Sequence, residues 1–231
     1  MRSSRWDAQG NIYLVTEESL TPDLVRAEVG DSDGVVEVFH SGDEWVEIAI
    51  WNPDGSRAEM SGNGTRIAAR WLAEQTGAEH VTVRVGAREV SARMLAENLV
   101  EQDLGEVVIG EPEEVAGIAL VTVDVGNPHA VVQGDPAVLP HVGPLLEVHP
   151  RFPRRTNVQV ARVVGAGLIE ARVWERGAGE TASSGSSAVA VAAVFGISPV
   201  TVRFPGGDLG VRFESGRAFL TGPASCIATG V

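Results

Sequence analysis

The sequence predicts an α+β fold built from two similar halves, and three observations carry that reading. Two stretches place Ser-Gly directly ahead of a small-residue apolar run. Ser61-Gly62-Asn63-Gly64 leads into Ile67-Ala68-Ala69-Arg70-Trp71-Leu72, and Ser184-Gly185-Ser186-Ser187 leads into Ala188-Val189-Ala190-Val191-Ala192-Ala193. Both runs read as buried helices whose first turns carry unpaired N–H groups, the kind of end that receives an anion or a carboxylate. They lie about half a chain apart, and each sits in the same order of segments: hairpin strands, a turn, Ser-Gly, a central helix, further strands. Helices are too few to alternate with strands, which argues against a doubly wound Rossmann-type sheet.

Taken in order, 11–16 reads as a strand after the Gln9-Gly10-Asn11 turn. Thr21-Pro22-Asp23 opens a short helix to about Ala27, with Thr21 as N-cap and Pro22 in the first turn. Residues 34–39 and 45–51 are β-rich and joined by the turn-forming His40-Ser41-Gly42-Asp43. Asn52-Pro53-Asp54-Gly55 is a second turn, and the first Ser-Gly helix follows to about Thr76. Strands are then expected over 81–85, 89–94 and 107–109. The polar, turn-forming stretch 111–117 places the domain boundary, giving an N-terminal domain over 1–114 and a C-terminal domain over 115–231. The last strand is a candidate to return to the first domain. In the second half, 118–125 is a strand ending in Gly126-Asn127-Pro128-His129, and 135–150 is a loop or a set of short helices. Strands over 157–164 and 168–176 lead into the second Ser-Gly helix, and short strands over 200–204, 210–214 and 217–221 follow it.

Composition narrows the function classes. The 231 residues carry 18 Lys and Arg against 31 Asp and Glu, a net charge of −13, which argues against nucleic acid and against an anionic membrane surface. No apolar run approaches the roughly 20 residues of a membrane span, and the N-terminus lacks the apolar stretch of a signal peptide, so a cytoplasmic protein is expected. One cysteine, Cys226, excludes an internal disulfide and a multi-cysteine metal site, and no metal is expected. His40, His80, His141 and His149 form no ligand pattern. On so acidic a chain the basic residues beside the Ser-Gly motifs, Arg66 and Arg176, stand out as candidate anion contacts.

Several separate stretches match one family. They are Gln9-Gly10-Asn11, Asp33-Gly34, Trp51-Asn52-Pro53-Asp54-Gly55-Ser56, Glu59-Met60-Ser61-Gly62-Asn63-Gly64, Gly126-Asn127-Pro128-His129-Ala130-Val131, Arg155-Thr156-Asn157-Val158, Trp174-Glu175-Arg176-Gly177-Ala178-Gly179-Glu180-Thr181 and Gly222-Pro223-Ala224. In this order they resemble the diaminopimelate epimerases, pyridoxal-independent enzymes that invert one α-carbon of diaminopimelate on the route to lysine and peptidoglycan precursors. The resemblance implies two pseudo-symmetric domains, each a β-barrel-like sheet wrapped around a central helix, with no cofactor and a small amino-acid substrate. It also implies two catalytic cysteines, one taking the α-proton and the other returning one, each at a helix N-terminus where the dipole favours a thiolate. Residue by residue, Asn11, Asn52, Asn127 and Asn157 match the asparagines that hold the distal amino-acid group, and Glu175 and Arg176 match the acidic–basic pair at that end. Gly62, Asn63, Gly185 and Ser186 match the backbone donors to the reacting carboxylate. His129 and Glu175 match positions that adjust the protonation of the catalytic pair. A homodimer is the association the family implies, but Ala228 stands where an aromatic residue marks its dimer contact.

The central departure is that both cysteine positions are serine, Ser61 and Ser184. A thiol starts near pKa 8.5, while a serine hydroxyl starts several units higher. A helix end contributes about 0.3–2 kcal/mol, and each pKa unit is about 1.36 kcal/mol, so the dipole alone cannot make serine a standing base. Ser61 or Ser184 needs a general base beside it, for which His129 and Glu175 are the candidates. Further departures are Ile12, Ile67, Ser186 and Ser187. Taken singly, Ser-Gly is a helix cap, the asparagines are turn formers and Glu175-Arg176 is a surface ion pair. Three classes therefore stand: an amino-acid epimerase using the serines, an amino-acid-binding homologue that has lost proton transfer, and a dehydratase or isomerase that needs one base.

Overall fold

The computed structural model describes residues 3–58, 60–95 and 98–230. Glu59, beside the first Ser-Gly segment, lies outside the described residues. The chain divides into two compact units, residues 1–103 with 221–231 and residues 104–220. The dividing point is Asp103/Leu104, earlier than the expected 114/115, and the chain's last segment belongs with the first unit.

The first unit contains β1 (Ser4–Asp7), β2 (Ile12–Thr16), α1 (Pro22–Glu28), β3 (Gly34–Ser41), β4 (Trp45–Trp51), β5 (Arg57–Ala58), α2 (Gly62–Thr76), β6 (His80–Val85), β7 (Arg88–Met94) and most of β8 (Leu99–Glu106). The second contains β9 (Val108–Val115), β10 (Ile118–Asp124), β11 (Pro128–Gln133), a 3-10 turn (Pro136–Val138), α3 (Leu139–Glu147), β12 (Asn157–Gly165), β13 (Leu168–Glu175), β14 (Gly179–Thr181), α4 (Gly185–Phe195), β15 (Val200–Phe204), β16 (Gly207–Glu214) and most of β17 (Arg217–Pro223). β18 (Ser225–Thr229) then pairs antiparallel with β1 in the first unit.

The duplication is visible in the strand pairings. In the first unit β1–β2 is antiparallel, β2–β3 parallel, β3–β4 antiparallel, β4–β6 parallel and β6–β7 antiparallel. In the second, β10–β11, β11–β12, β12–β13, β13–β15 and β15–β16 repeat that alternation step for step. A parallel pair requires a crossover, and α1 and α3 supply the first crossover of each unit while α2 and α4 supply the second. Each unit is thus an α+β, barrel-like sheet around its central helix: α2 touches β2, β3, β4, β6, β7 and β18, and α4 touches β10, β11, β12, β13, β15 and β16.

Composition explains why these two helices are enclosed. From Gly185 to Ala192 every residue of α4 is buried, with no polar face to present to water. Its Gly, Ser, Ala and Val side chains are small enough for strands to close around it. α2 is buried from Gly62 through Ala69. Both helices stop at a glycine in the left-handed region, Gly77 at φ 77° and Gly196 at φ 64°, where a Cβ would be strained. Behind α1 an apolar cluster of Leu14, Leu20, Val25, Val35, Ala49 and Trp51 fills the first unit. Behind α3, Leu120, Val132, Leu139, Leu146, Phe152 and Val160 do the same in the second.

One expectation needs correction. Residues 111–115, read as a polar turn, lie in β9, whose exposed acidic face disguises a strand antiparallel to β10. Residues 99–106 form β8, whose buried Gln102 meets its polar requirement inside the core: its amide oxygen accepts from the Thr65 hydroxyl at 2.7 Å and from the Arg66 N–H at 3.1 Å, and its amide nitrogen donates to the Gly62 carbonyl at 3.0 Å.

Candidate active site

Each unit carries its own group of candidate residues, centred on the mouth of its central helix. In the first unit Ser61 is extended (φ −136°, ψ 122°) and caps α2, its Oγ accepting from the Gly64 N–H at 3.0 Å. The same Oγ lies 3.2 Å from the Tyr13 hydroxyl on β2. Tyr13 fits because Gly34, its partner on the parallel strand β3, has no side chain: a Cβ there would sit 2.7 Å from Tyr13 Cε1 and from the Trp51 carbonyl. Gly62 and Asn63 follow, both buried, in the first helical turn.

Arg66 completes this mouth from inside. It is wholly buried and donates to the Gly62 carbonyl at 3.3 Å, to Asn63 Oδ1 at 2.9 Å and to the Pro223 carbonyl at 2.8 Å. Burial lowers its pKa to about 10, an effect that the charges of Tyr13 and Asp7 partly offset. The sequence suggested Arg66 as a direct anion contact. In the structure three of its five N–H donors are spent on its own helix and on Pro223.

The asparagines of this unit are placed by turns. Asn11 is buried after Gln9 and Gly10, which both have positive φ, and the Gly10 N–H is held by Asp7 Oδ1 at 2.6 Å. Asn52 opens a tight turn in which its N–H donates to the Ser56 carbonyl at 2.8 Å and its Nδ2 to Ser56 Oγ at 2.9 Å. Asp54 accepts from the N–H and hydroxyl of Ser56, and those bonds pull its carboxyl below the usual range.

In the second unit Ser184 is extended (φ −151°, ψ 125°) at the start of α4, and its side chain makes no capping hydrogen bond. Gly185 and Ser186 follow, buried, with the unpaired N–H groups of a first turn. Beside them runs a chain of polar side chains. Asn127 Nδ2 donates to Ser186 Oγ at 3.3 Å, and Asn127 Oδ1 lies 2.9 Å from His129 Nε2. His129 Nδ1 lies 3.0 Å from Gln159 Nε2, which also donates to Ser187 Oγ at 2.9 Å. With this amide placement the imidazole carries its proton on Nε2 and accepts at Nδ1. Burial drives the His129 pKa down to about 3, so the ring is neutral. Both of its nitrogens are committed to Asn127 and Gln159, and neither serves Ser184.

The remaining predicted residues gather around the start of β12 and the end of β13. Asn157 Nδ2 donates to the Pro128 carbonyl and its Oδ1 accepts from the Arg176 N–H, both at 2.9 Å. The Arg176 guanidinium reaches the Arg154 carbonyl at 3.2 Å, and Glu175 Oε1 accepts from the Thr181 hydroxyl at 2.6 Å. The structure therefore joins Asn127, His129 and Ser186 in one network and Asn157 to Arg176. Glu147 stiffens this corner, accepting from Trp174 Nε1 and the Gly177 N–H, both at 2.8 Å. In the first unit Glu37 plays the same part for Trp51 Nε1 at 2.8 Å and the Leu20 N–H at 2.9 Å. Tyr13, Gln159, Glu147 and Glu37 escaped sequence reading. Only Tyr13 left a signal, as the one tyrosine of the chain, two residues beyond Asn11.

Known proteins share the family pattern and the fold. The family model described as diaminopimelate epimerase matches residues 15–110 and 121–227. A diaminopimelate epimerase of Synechocystis sp. is 35% identical, over 98% of this chain and 97% of its own. One from Pelotomaculum thermopropionicum is 37% identical over 86% of this chain and 82% of its own. Among solved structures, a predicted epimerase from Pseudomonas aeruginosa superposes with a TM-score of 0.80 at 17% identity, covering 98% and 97% of the two chains, which shows the shared fold. The chain belongs to the diaminopimelate epimerase family.

Proposed function

We propose that the protein is a cofactor-independent amino-acid epimerase that inverts an α-carbon of diaminopimelate or a close analogue by proton transfer, with Ser61 and Ser184 as the two exchanging groups. The observation that carries this reading is the duplicated helix mouth. Each unit sets an extended serine ahead of a buried central helix, and the two residues that follow it, Gly62 and Asn63 or Gly185 and Ser186, stand where helical N–H groups lack intrahelical partners. Donors of that kind hold a carboxylate and stabilise the negative charge that develops when its α-proton leaves. In the family resemblance, Asn11, Asn52, Asn127, Asn157, Glu175 and Arg176 receive the distal amino-acid group. Arg176 grips its carboxylate with two parallel N–H bonds, which a lysine would not reproduce. The chemistry needs no cofactor, places the substrate among small amino acids, and suits an enzyme of the cytoplasm, acting as a homodimer or as a single chain.

The test is to supply LL-diaminopimelate and separate stereoisomers chirally over time. Formation of the meso isomer supports the proposal, and its absence at every pH between about 6 and 10 removes it. One observation favours a second reading, an amino-acid-binding homologue: His129 is neutral, committed at both nitrogens and not bonded to Ser184. That reading predicts calorimetric binding of diaminopimelate without stereochemical change.

A further inference from the structure

The two helix mouths are alike in backbone and unlike in charge. Five positions after Ser61 stands Arg66, and five positions after Ser184 stands Val189, both fully buried. Among the described residues no carboxylate forms an ion pair with Arg66, and a buried guanidinium compensated only by the more distant charges of Tyr13 and Asp7 is costly to keep. Its side chain runs back toward the helix N-terminus, as helical side chains do, and spends two of its hydrogen bonds on the first turn. One of these falls on the Gly62 carbonyl, the oxygen of the peptide whose N–H belongs to Asn63. A cation on that oxygen polarises the peptide and strengthens the N–H as a donor to an anion. It also adds a full positive charge to the half-charge of the helix end.

We propose that Arg66 is the positioning residue of the Ser61 half of the chemistry: it fixes the Gly62–Asn63 peptide and biases that helix mouth, and not the mouth of α4, toward the anionic, proton-accepting state. The catalytic meaning of this role rests on the epimerase reading, while the electrostatic role stands on its own measurement. The alternative is purely structural, with Arg66 serving to tie the 221–231 segment to α2 through the Pro223 carbonyl.

A thiol placed at each mouth reads its potential without requiring any turnover. Starting from a Cys226→Ser background, Ser61→Cys and Ser184→Cys are made separately, and each thiol pKa is taken from the pH dependence of its alkylation rate by iodoacetamide. Among the described residues, the charged and titratable groups that bear on Arg66 and the α2 mouth are Tyr13 from β2 and Asp7 from β1. They are unchanged in every arm, as is Glu59. The thiol of Ser61→Cys is expected below the usual value of about 8.5, and adding Arg66→Gln raises it by about one unit or more. Arg66→Lys, which keeps the charge, raises it by less than half as much, and Arg66→Gln leaves the thiol of Ser184→Cys in place. No shift at position 61, or an equal shift at both positions, overturns the proposal. Should Arg66→Gln fail to fold, the parent Ser61→Cys titration decides, a pKa at or above about 8.5 overturning it. A protein that shows the shift at position 61 yet produces no meso isomer refutes the epimerase reading and leaves the electrostatic role intact.

Discussion

His129 makes the second unit sensitive to acid, and the size of the effect follows from its burial. In the unfolded chain the imidazole takes a proton as pH falls through about 6.5. In the folded protein burial holds it neutral until about pH 3. Between those values the unfolded state binds more protons, so stability falls as pH falls. At pH 5 the folded ring is neutral and the unfolded one almost fully charged, which costs about 2 kcal/mol relative to pH 8. At pH 3 and below the loss approaches about 5 kcal/mol, the 3.5 units between 6.5 and 3 at 1.36 kcal/mol each. His129→Gln removes the titration while keeping a polar side chain against Asn127 and Gln159. Urea unfolding at pH 8 and pH 5 measures the difference, and Trp174 is the one tryptophan between residues 104 and 220 to follow it. Carboxylate effects are common to both proteins and cancel in the comparison. The variant is expected to lose about 2 kcal/mol less between the two pH values than the parent. An equal loss in both would refute the claim that His129 is buried and neutral.

Two further substitutions probe the chemistry and its scaffold. Restoring thiols with Ser61→Cys and Ser184→Cys together is expected to raise the epimerisation rate about tenfold or more, since a helix end brings a thiol but not a hydroxyl into the working range. An unchanged rate with binding intact, measured by calorimetry, would show that the serines do not limit the reaction. Glu147→Gln turns one of two accepting oxygens into a donor facing the Trp174 indole N–H or the Gly177 N–H. A loss of about 1–3 kcal/mol follows, visible as a melting point lower by about 3–10 °C, and an unshifted melting curve would contradict the role given to Glu147.

Much of this architecture is legible in the sequence because its signals are local. The Ser-Gly helix starts, the glycine stop at Gly77 and the proline-opened helix after Thr21 are each written within a few residues. What escaped was written across the fold. β8 hides behind Gln102, whose amide is acceptable in the core only because Gly62, Thr65 and Arg66 on α2 satisfy it. β9 hides behind Pro112 and its acidic neighbours, although its partner β10 is apolar enough to anchor it. α3 begins at Leu139 and contains Pro140 and Pro144, residues that discourage a helix assignment in isolation. The asparagines of the site were legible as turn residues, yet their partners were not. Asn157 is bound to Pro128 and Arg176 through contacts that no spacing announces. The same holds for Tyr13 against Ser61 and for Gln159 between His129 and Ser187, which is why the candidate bases could be named from sequence but their commitments could not.

The central claim is that this chain still moves an α-proton with serine in both exchanging positions. Incubating the unaltered protein with LL- and with meso-diaminopimelate in deuterated water, and following the α-hydrogen by proton NMR, tests it most directly. The account predicts loss of the α-proton signal with both isomers, at a rate that falls when Ser61 or Ser184 is changed to alanine. Diaminopimelate that binds and keeps its α-proton indefinitely would contradict it.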